Sequence, residues 1–228
     1  GNATITINSA ATDANGNTTY NTSTNLEISV RPTTTFTTNI KSGKIESAHH
    51  SVRDISVPMY TQMQTHKLYL AKSPIVLARP LFEYLKKYDF DCTEQLISRT
   101  FPYAITPDNK VLGTTYDESA KNIADTINAL RARQNPDGSF NMWPTNTYTS
   151  GPANTDTAIL TAYVSDFLTT ARENGFAVPD NMHTKALDYL RTFAGETITS
   201  DEMANAVAFA AYVITRNNFV TTTYINNF

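Results

Sequence analysis

The 228-residue sequence holds a single cysteine, Cys92, and charged residues make up only 17% of it. A lone cysteine forms no intrachain disulfide and cannot build a thiolate zinc site. The charged fraction lies below the roughly 25% typical of soluble domains. Thr, Asn and Ser fill much of the gap. There is no basic excess either: 18 Lys and Arg stand against 21 Asp and Glu, a net charge of −3. That argues against a general nucleic-acid binder, which normally shows a basic face. No run of 18 apolar residues occurs, so no membrane-spanning helix is expected. The first residues, Gly1-Asn2-Ala3-Thr4, show neither a charged n-region nor an apolar h-region. Either the protein is cytosolic or its targeting segment lies outside this stretch. His49 and His50 are adjacent, but with His66 they fall in a part of the chain without carboxylate or cysteine spacing to match. Neither a metal nor a cofactor is expected.

What is present suffices for a core. Hydrophobic residues reach 40%, which excludes a wholly disordered chain. A chain of this length can bury roughly 70% of its unfolded surface. The composition changes near residue 72, and an α+β chain is expected. Before it, period-two runs stand out: Ala3 to Ile7, Leu26 to Val30 and Val52 to Val57. They read as half-buried strands, with Asn15-Gly16 as a hairpin signal. After it the pattern turns helical. Ser73-Pro74 offers an N-cap and a proline at the first helical position, with Pro80 as a possible kink. Further helices are expected from near Cys92 to before Pro102, then over 117–133, 157–173, 181–193 and 202–216. Gly175 serves as a stop. Ala162-Tyr163-Val164 recurs as Ala211-Tyr212-Val213, as stacked helical hairpins would leave it. Both tyrosines and Trp143 read as core residues. Gln134 to Phe140 reads as a tight turn.

The chemistry sits in Tyr88-Asp89-Phe90-Asp91-Cys92-Thr93-Glu94-Gln95. A Cys three residues before a Gln at a helix start places both side chains on one face, within mutual reach. Such a thiol and γ-carboxamide can form an intramolecular thioester with loss of ammonia. A thiolate leaves far more readily than the amide nitrogen it replaced, so the bond stores acylating power on the Gln95 carbonyl. Tyr88, Phe90, Phe101 and Tyr103 are candidate aromatic walls against water, and Trp143 is a further pocket aromatic.

Cys92-Thr93-Glu94-Gln95 resembles the C-x-E-Q motif of the α2-macroglobulin and complement thioester superfamily. The flanks are similar to its bacterial branch: Pro74 to Arg79 and Tyr84 to Tyr88 before the motif, Ser98-Arg99 and Phe101-Pro102 after it, then Gln134 to Trp143, Leu160 to Leu168 and Gly175 to Pro179. The resemblance covers roughly residues 73 to 217. It implies the end of a macroglobulin-like β module over 1–32, the first part of a CUB-like domain over 33–72, and a thioester domain, an incomplete α/α toroid, over 73–228. It implies roles as well. Cys92 and Gln95 match the thioester pair, Glu94 a structural or polarising acid, and Tyr88 an aromatic that shields the bond. Asp91 departs from the family's usual glycine and puts a negative charge beside the sulfur. The animal members' downstream histidine has no counterpart at Ala204 to Ala208. His183 is the remaining candidate, expected on a polar outer helix.

The function so implied is protease trapping: a Lys or hydroxyl of an attacking protease is acylated once, without turnover, so no enzyme is expected. The implied setting is periplasmic, cell-envelope or secreted, in a larger multidomain chain. Rival readings are a thioester adhesin, an α/α-toroid enzyme such as a terpene cyclase or polysaccharide lyase, and an inert buried cysteine. The absence of a D-x-D-D-type run counts against the enzyme.

Overall fold

The computed structural model describes residues 2–30, 41–46, 65–88, 90–144 and 154–225. The chain divides into two units, 1–50 and 51–228.

The first unit carries an antiparallel hairpin of β1 (Asn2–Thr12) and β2 (Thr18–Ser29). The Asn15-Gly16 signal sits in its loop, where the Asp13 carboxylate accepts from the Asn15 and Asn17 amides at 2.9 and 2.8 Å. Directly paired residues share a face. The register pairs Ala3 with Ile28, Ile5 with Leu26 and Ala11 with Tyr20. The large apolar side chains therefore gather on one face, together with Thr22, Thr24 and Ser9, and the other face is polar but for Ala10. The strands are not half-buried as expected. Ile5 and Ile28 are each 45% exposed, because a two-stranded ribbon supplies no second layer to cover its apolar face. The run from Val52 to Val57 lies outside the described residues, as do His49, His50 and much of 33–72. The described parts of 33–72, residues 41–46 and 65–72, contain no strand.

The second unit is helical among its described residues. A 3-10 segment, Pro74–Ala78, starts at Ser73, whose hydroxyl accepts from the Ile75 amide at 3.4 Å. α1 (Arg79–Leu85) follows, with Pro80 in its first turn. Pro80 therefore opens a helix and does not kink one, since its fixed φ and missing N–H cost nothing at that position. α2 (Thr93–Ile105), α3 (Tyr116–Arg131), α4 (Thr155–Glu173), α5 (Asp180–Ala194), α6 (Asp201–Arg216) and α7 (Thr222–Ile225) complete the order. α2 continues through Pro102, where the sequence suggested a stop. Burial of Tyr103 and Ala104 just beyond the proline holds the last turn against its cost. α4 ends as expected at Gly175, which has φ 83°. The Gly175 amide reaches the Arg172 carbonyl and the Phe176 amide the Ala171 carbonyl, both at 3.0 Å. This is the paired closure of a Schellman motif.

α2, α4 and α6 stand side by side, with α3 against α2 and α5 against α4 and α6. Ser98 bonds Tyr163 at 3.0 Å, and Phe101 meets both Tyr163 and Phe167. Both series ascend, so α2 and α4 run parallel. α3 runs antiparallel to α2, since Thr100 meets Thr126 and Tyr103 meets Glu118. One core joins α1 to α4 and the start of α5, and a second joins α4, α5 and α6. Within the Ala-Tyr-Val repeat, both alanines and both valines are buried. Tyr163 packs on the core, but Tyr212 is 51% exposed. Its ring neighbours are Phe209 and Arg216, whereas Tyr163 has the side of α2 to lie on.

Candidate functional site

Cys92 is the N-cap of α2, with extended backbone, and Gln95 is three residues on, at the end of the first helical turn. These are the two positions of a capping box, in which each side chain reaches the other residue's backbone N–H. Cys92 is a buried free thiol and makes no capping hydrogen bond. The Gln95 carboxamide oxygen is buried without a hydrogen-bond partner. A buried carbonyl left unpaired costs about 1–3 kcal/mol. The oxygen carries this cost while the N–H₂ is not among the buried unpartnered groups. Glu94 is exposed in the same first turn, where a negative charge suits the helix N-terminus.

With no side-chain cap, the start of α2 is held from outside. Thr93 is fully buried; its amide donates to the Met142 carbonyl at 2.9 Å and its hydroxyl to the Asn141 carbonyl at 2.5 Å. Arg133, just after α3, donates from Nη1 to the Asp91 carbonyl at 2.6 Å and to the Thr93 hydroxyl at 3.2 Å. Burial lowers the Arg133 guanidinium from its ordinary range, while the Asp91 carboxylate and Cys92 pull the other way. The turn bearing these groups is the expected Gln134 to Phe140 turn, closed by a bridge between those two residues. Gln134 Nε2 donates to the Gly138 carbonyl at 3.2 Å and to the Met182 carbonyl at 2.8 Å, which ties the turn to α5. Gly138 has φ 95°, and a Cβ there would lie 2.1 Å from the Lys185 carbonyl oxygen. Only glycine fits.

The predicted aromatics divide. Tyr88 and Phe90 meet at 4.9 Å between ring centroids, just ahead of Cys92, with Tyr84 against Tyr88 at 5.7 Å. Phe101 lies on the opposite face of α2 from Cys92 and stacks on Tyr163. Tyr103 is about three turns along α2 from Cys92, edge-on to Phe82, with its hydroxyl on Glu118 at 2.8 Å. Burial, then Glu118, pushes that hydroxyl above its usual range. Trp143 is exposed and no core residue, since its turn presents the backbone rather than the ring to α2. Asp91 is paired with Arg99 at 3.6 Å.

His183 corrects its expectation. It is buried on α5, against Thr169 at 3.1 Å and Arg172 at 3.4 Å. Burial, then Arg172, lowers it from its ordinary value, while Asp180 raises it. α5 is amphipathic, and position 183 falls on the side facing α4. Among the described residues no group of three or more His, Cys, Asp or Glu could hold a metal, and no helix is long and apolar enough to cross a membrane. Sequence reasoning missed Arg133 and Thr93. The available signal was an arginine placed immediately before a readable turn.

No family model matches the chain. It is 28% identical over 203 residues to the alpha-2-macroglobulin of Rickettsia conorii, covering 87% of this chain and 10% of that protein. An alpha-2-macroglobulin homolog of Yersinia pestis is 26% identical over 86% of this chain, again 10% of its own length. The Escherichia coli alpha-2-macroglobulin is 35% identical over 113 residues, 47% of this chain and 6% of that protein. The chain thus spans about a tenth or less of the curated relatives it matches. Among solved structures, native E. coli alpha-2-macroglobulin from domain MG7 to the C-terminus gives a TM-score of 0.51 at 24% identity, over 60% of this chain and 23% of that one. Salmonella alpha-2-macroglobulin reacted with methylamine gives 0.50 at 30% identity, over 64% of this chain and 10% of that one.

Proposed function

We propose that this chain, an alpha-2-macroglobulin-like bacterial protein, stores an internal thioester between Cys92 Sγ and the Gln95 side-chain carbonyl carbon and spends it in capturing proteases. One observation carries the reading. The thiol and the carboxamide occupy the N-cap and third positions of α2, and the Gln95 oxygen is buried with nothing to bind. Closing the bond expels ammonia and keeps the buried Gln95 oxygen as a thioester carbonyl, a weaker hydrogen-bond acceptor than an amide carbonyl. Opening it by a protease Lys or hydroxyl leaves an amide or ester on Gln95 and a free thiol. The Salmonella neighbour is described as reacted with methylamine, a small amine of the kind that opens such a bond. The Tyr84, Tyr88 and Phe90 rings form the shield, and a dry bond is a durable one. The capture is stoichiometric and not catalytic. In this reading the helical hairpins belong to an incomplete α/α toroid, the β1–β2 hairpin to the end of a macroglobulin-like module over 1–32, and 33–72 to the first part of a CUB-like domain. The setting is the periplasm or cell envelope, within a larger chain.

The test is intact mass. The native protein should be lighter than its sequence by one ammonia, gain one methylamine at Gln95 on treatment, and expose Cys92 to alkylation only then. A Cys92 that alkylates at once, in a protein of unmodified mass, would refute the thioester.

A further inference from the structure

We infer that Arg133 supplies the positive charge that receives the Cys92 sulfur as an anion when the thioester opens. The inference rests on the thioester reading and goes beyond it, to the residue that governs the leaving group.

Arg133 is only 6% exposed. Its Nη1 donates to the Asp91 carbonyl and the Thr93 hydroxyl, the residues on either side of Cys92. Its third acceptor is the Met142 carbonyl at 3.4 Å, and its buried Nε has no partner. All of these acceptors are neutral. Among the described residues no carboxylate stands within ion-pair distance of this guanidinium; the Asp91 carboxylate is turned to Arg99. Asp91 acts on this charge only from beyond ion-pair distance, and a buried cation with no anion in contact is costly. The group held between its two closest hydrogen-bond partners is a thiol that becomes an anion in the proposed reaction. The guanidinium fork also suits the place in a way an ammonium would not, because it can hold the backbone and keep charge to spare.

The step balances without further reagents. The amine nitrogen bonds to the Gln95 side-chain carbonyl carbon. The carbon–sulfur bond breaks and its electron pair leaves on Sγ. The proton lost from the amine passes to solvent. Arg133 stays charged throughout and exchanges no proton. It acts where charge develops, in a site already organised before reaction. Among the described residues the other charged groups at this helix start are Asp91, Glu94 and Arg99; the cavity that Arg133 lines also takes Lys86, Glu118 and Asp125, and Asn141 and Met142 face the helix start with carbonyls.

The experiment uses the intact protein with Arg133→Gln, which keeps donors but no charge, and Arg133→Lys, which keeps the charge. Arg133→Gln should slow methylamine opening at neutral pH roughly tenfold, the equivalent of about one pKa unit of charge interaction. It should also move the pH profile of Cys92 alkylation in the opened protein to higher pH. Arg133→Lys should recover most of both. Equal behaviour of the two variants, or wild-type kinetics in Arg133→Gln, overturns the inference. A measurement on the wild type covers a variant that fails to fold. Opened Cys92 should prefer anionic iodoacetate over neutral iodoacetamide, relative to a free cysteine peptide, and Arg99→Gln should leave that preference in place. A ratio no higher than the peptide's overturns it. If the wild type takes up no methylamine at all, the thioester reading itself falls; uptake indifferent to the charge at 133 sinks this inference alone.

Discussion

Two neighbouring helices begin on four residues of the same shape. Thr115-Tyr116-Asp117-Glu118 opens α3, and Cys92-Thr93-Glu94-Gln95 opens α2. At α3 the Thr115 hydroxyl accepts from the Glu118 amide at 3.3 Å, an ordinary cap that satisfies an orphan donor. At α2 the same register carries a thiol and a carboxamide, and no capping bond forms. The cap brings an N-cap side chain to the third residue of the helix, and that approach can serve stability or bond formation. Where no capping bond forms, other parts must do the work of the cap. Here they are Thr93, the 141–142 carbonyls and Arg133.

Substitutions can sharpen or break this comparison. The largest effect is expected from Cys92→Ser, which turns the α2 start into the α3 type. Methylamine uptake, read by mass, should vanish. The variant should nonetheless melt higher than Cys92→Ala, by about 1 kcal/mol of stability, the worth of a serine cap. Equal melting of the two would show that the α2 start cannot accept a cap. Next comes Gly138→Ala, which drives a Cβ into the Lys185 carbonyl at a positive φ. A loss of about 3 kcal/mol in urea unfolding is expected. Thr93→Val keeps shape and removes a buried hydroxyl with two carbonyl acceptors. It should cost about 2 kcal/mol, because the Asn141 carbonyl loses its donor. Thr115→Ala should cost about 1 kcal/mol and leave thioester content unchanged. Asp91→Asn, which breaks an exposed ion pair with Arg99, should move stability by no more than about 0.5 kcal/mol. A larger loss in that last variant would mean that Asp91 does more than pair with Arg99.

Much of this was legible because it is local. The helical period gave α3 to α6 nearly to their ends, Gly175 marked a real Schellman closure, and Asn15-Gly16 a real hairpin. The Cys92 and Gln95 placement followed from spacing alone, since four residues decide it. What failed was set at a distance. Pro102 stays helical because of what Tyr103 and Ala104 bury against, which no window around the proline displays. Arg133 is buried by carbonyls up to 42 residues away, and its type alone argues for the surface. His183 is drawn in by Thr169 and Arg172 of another helix. The hairpin's alternation was read correctly, but alternation says which face is apolar and not whether anything covers it.

The contact at Gly138 has a mechanical meaning. Backbone meets backbone there, with no side chain between the turn and Lys185 to bend or repack. Such a joint works as a rivet. A shift of α5 is handed directly to the segment that carries Arg133, Asn141 and Met142, and so to the peptide groups around Cys92. Any rearrangement that uncovers the sulfur must therefore carry the turn and α5 along as one piece, or first prise them apart.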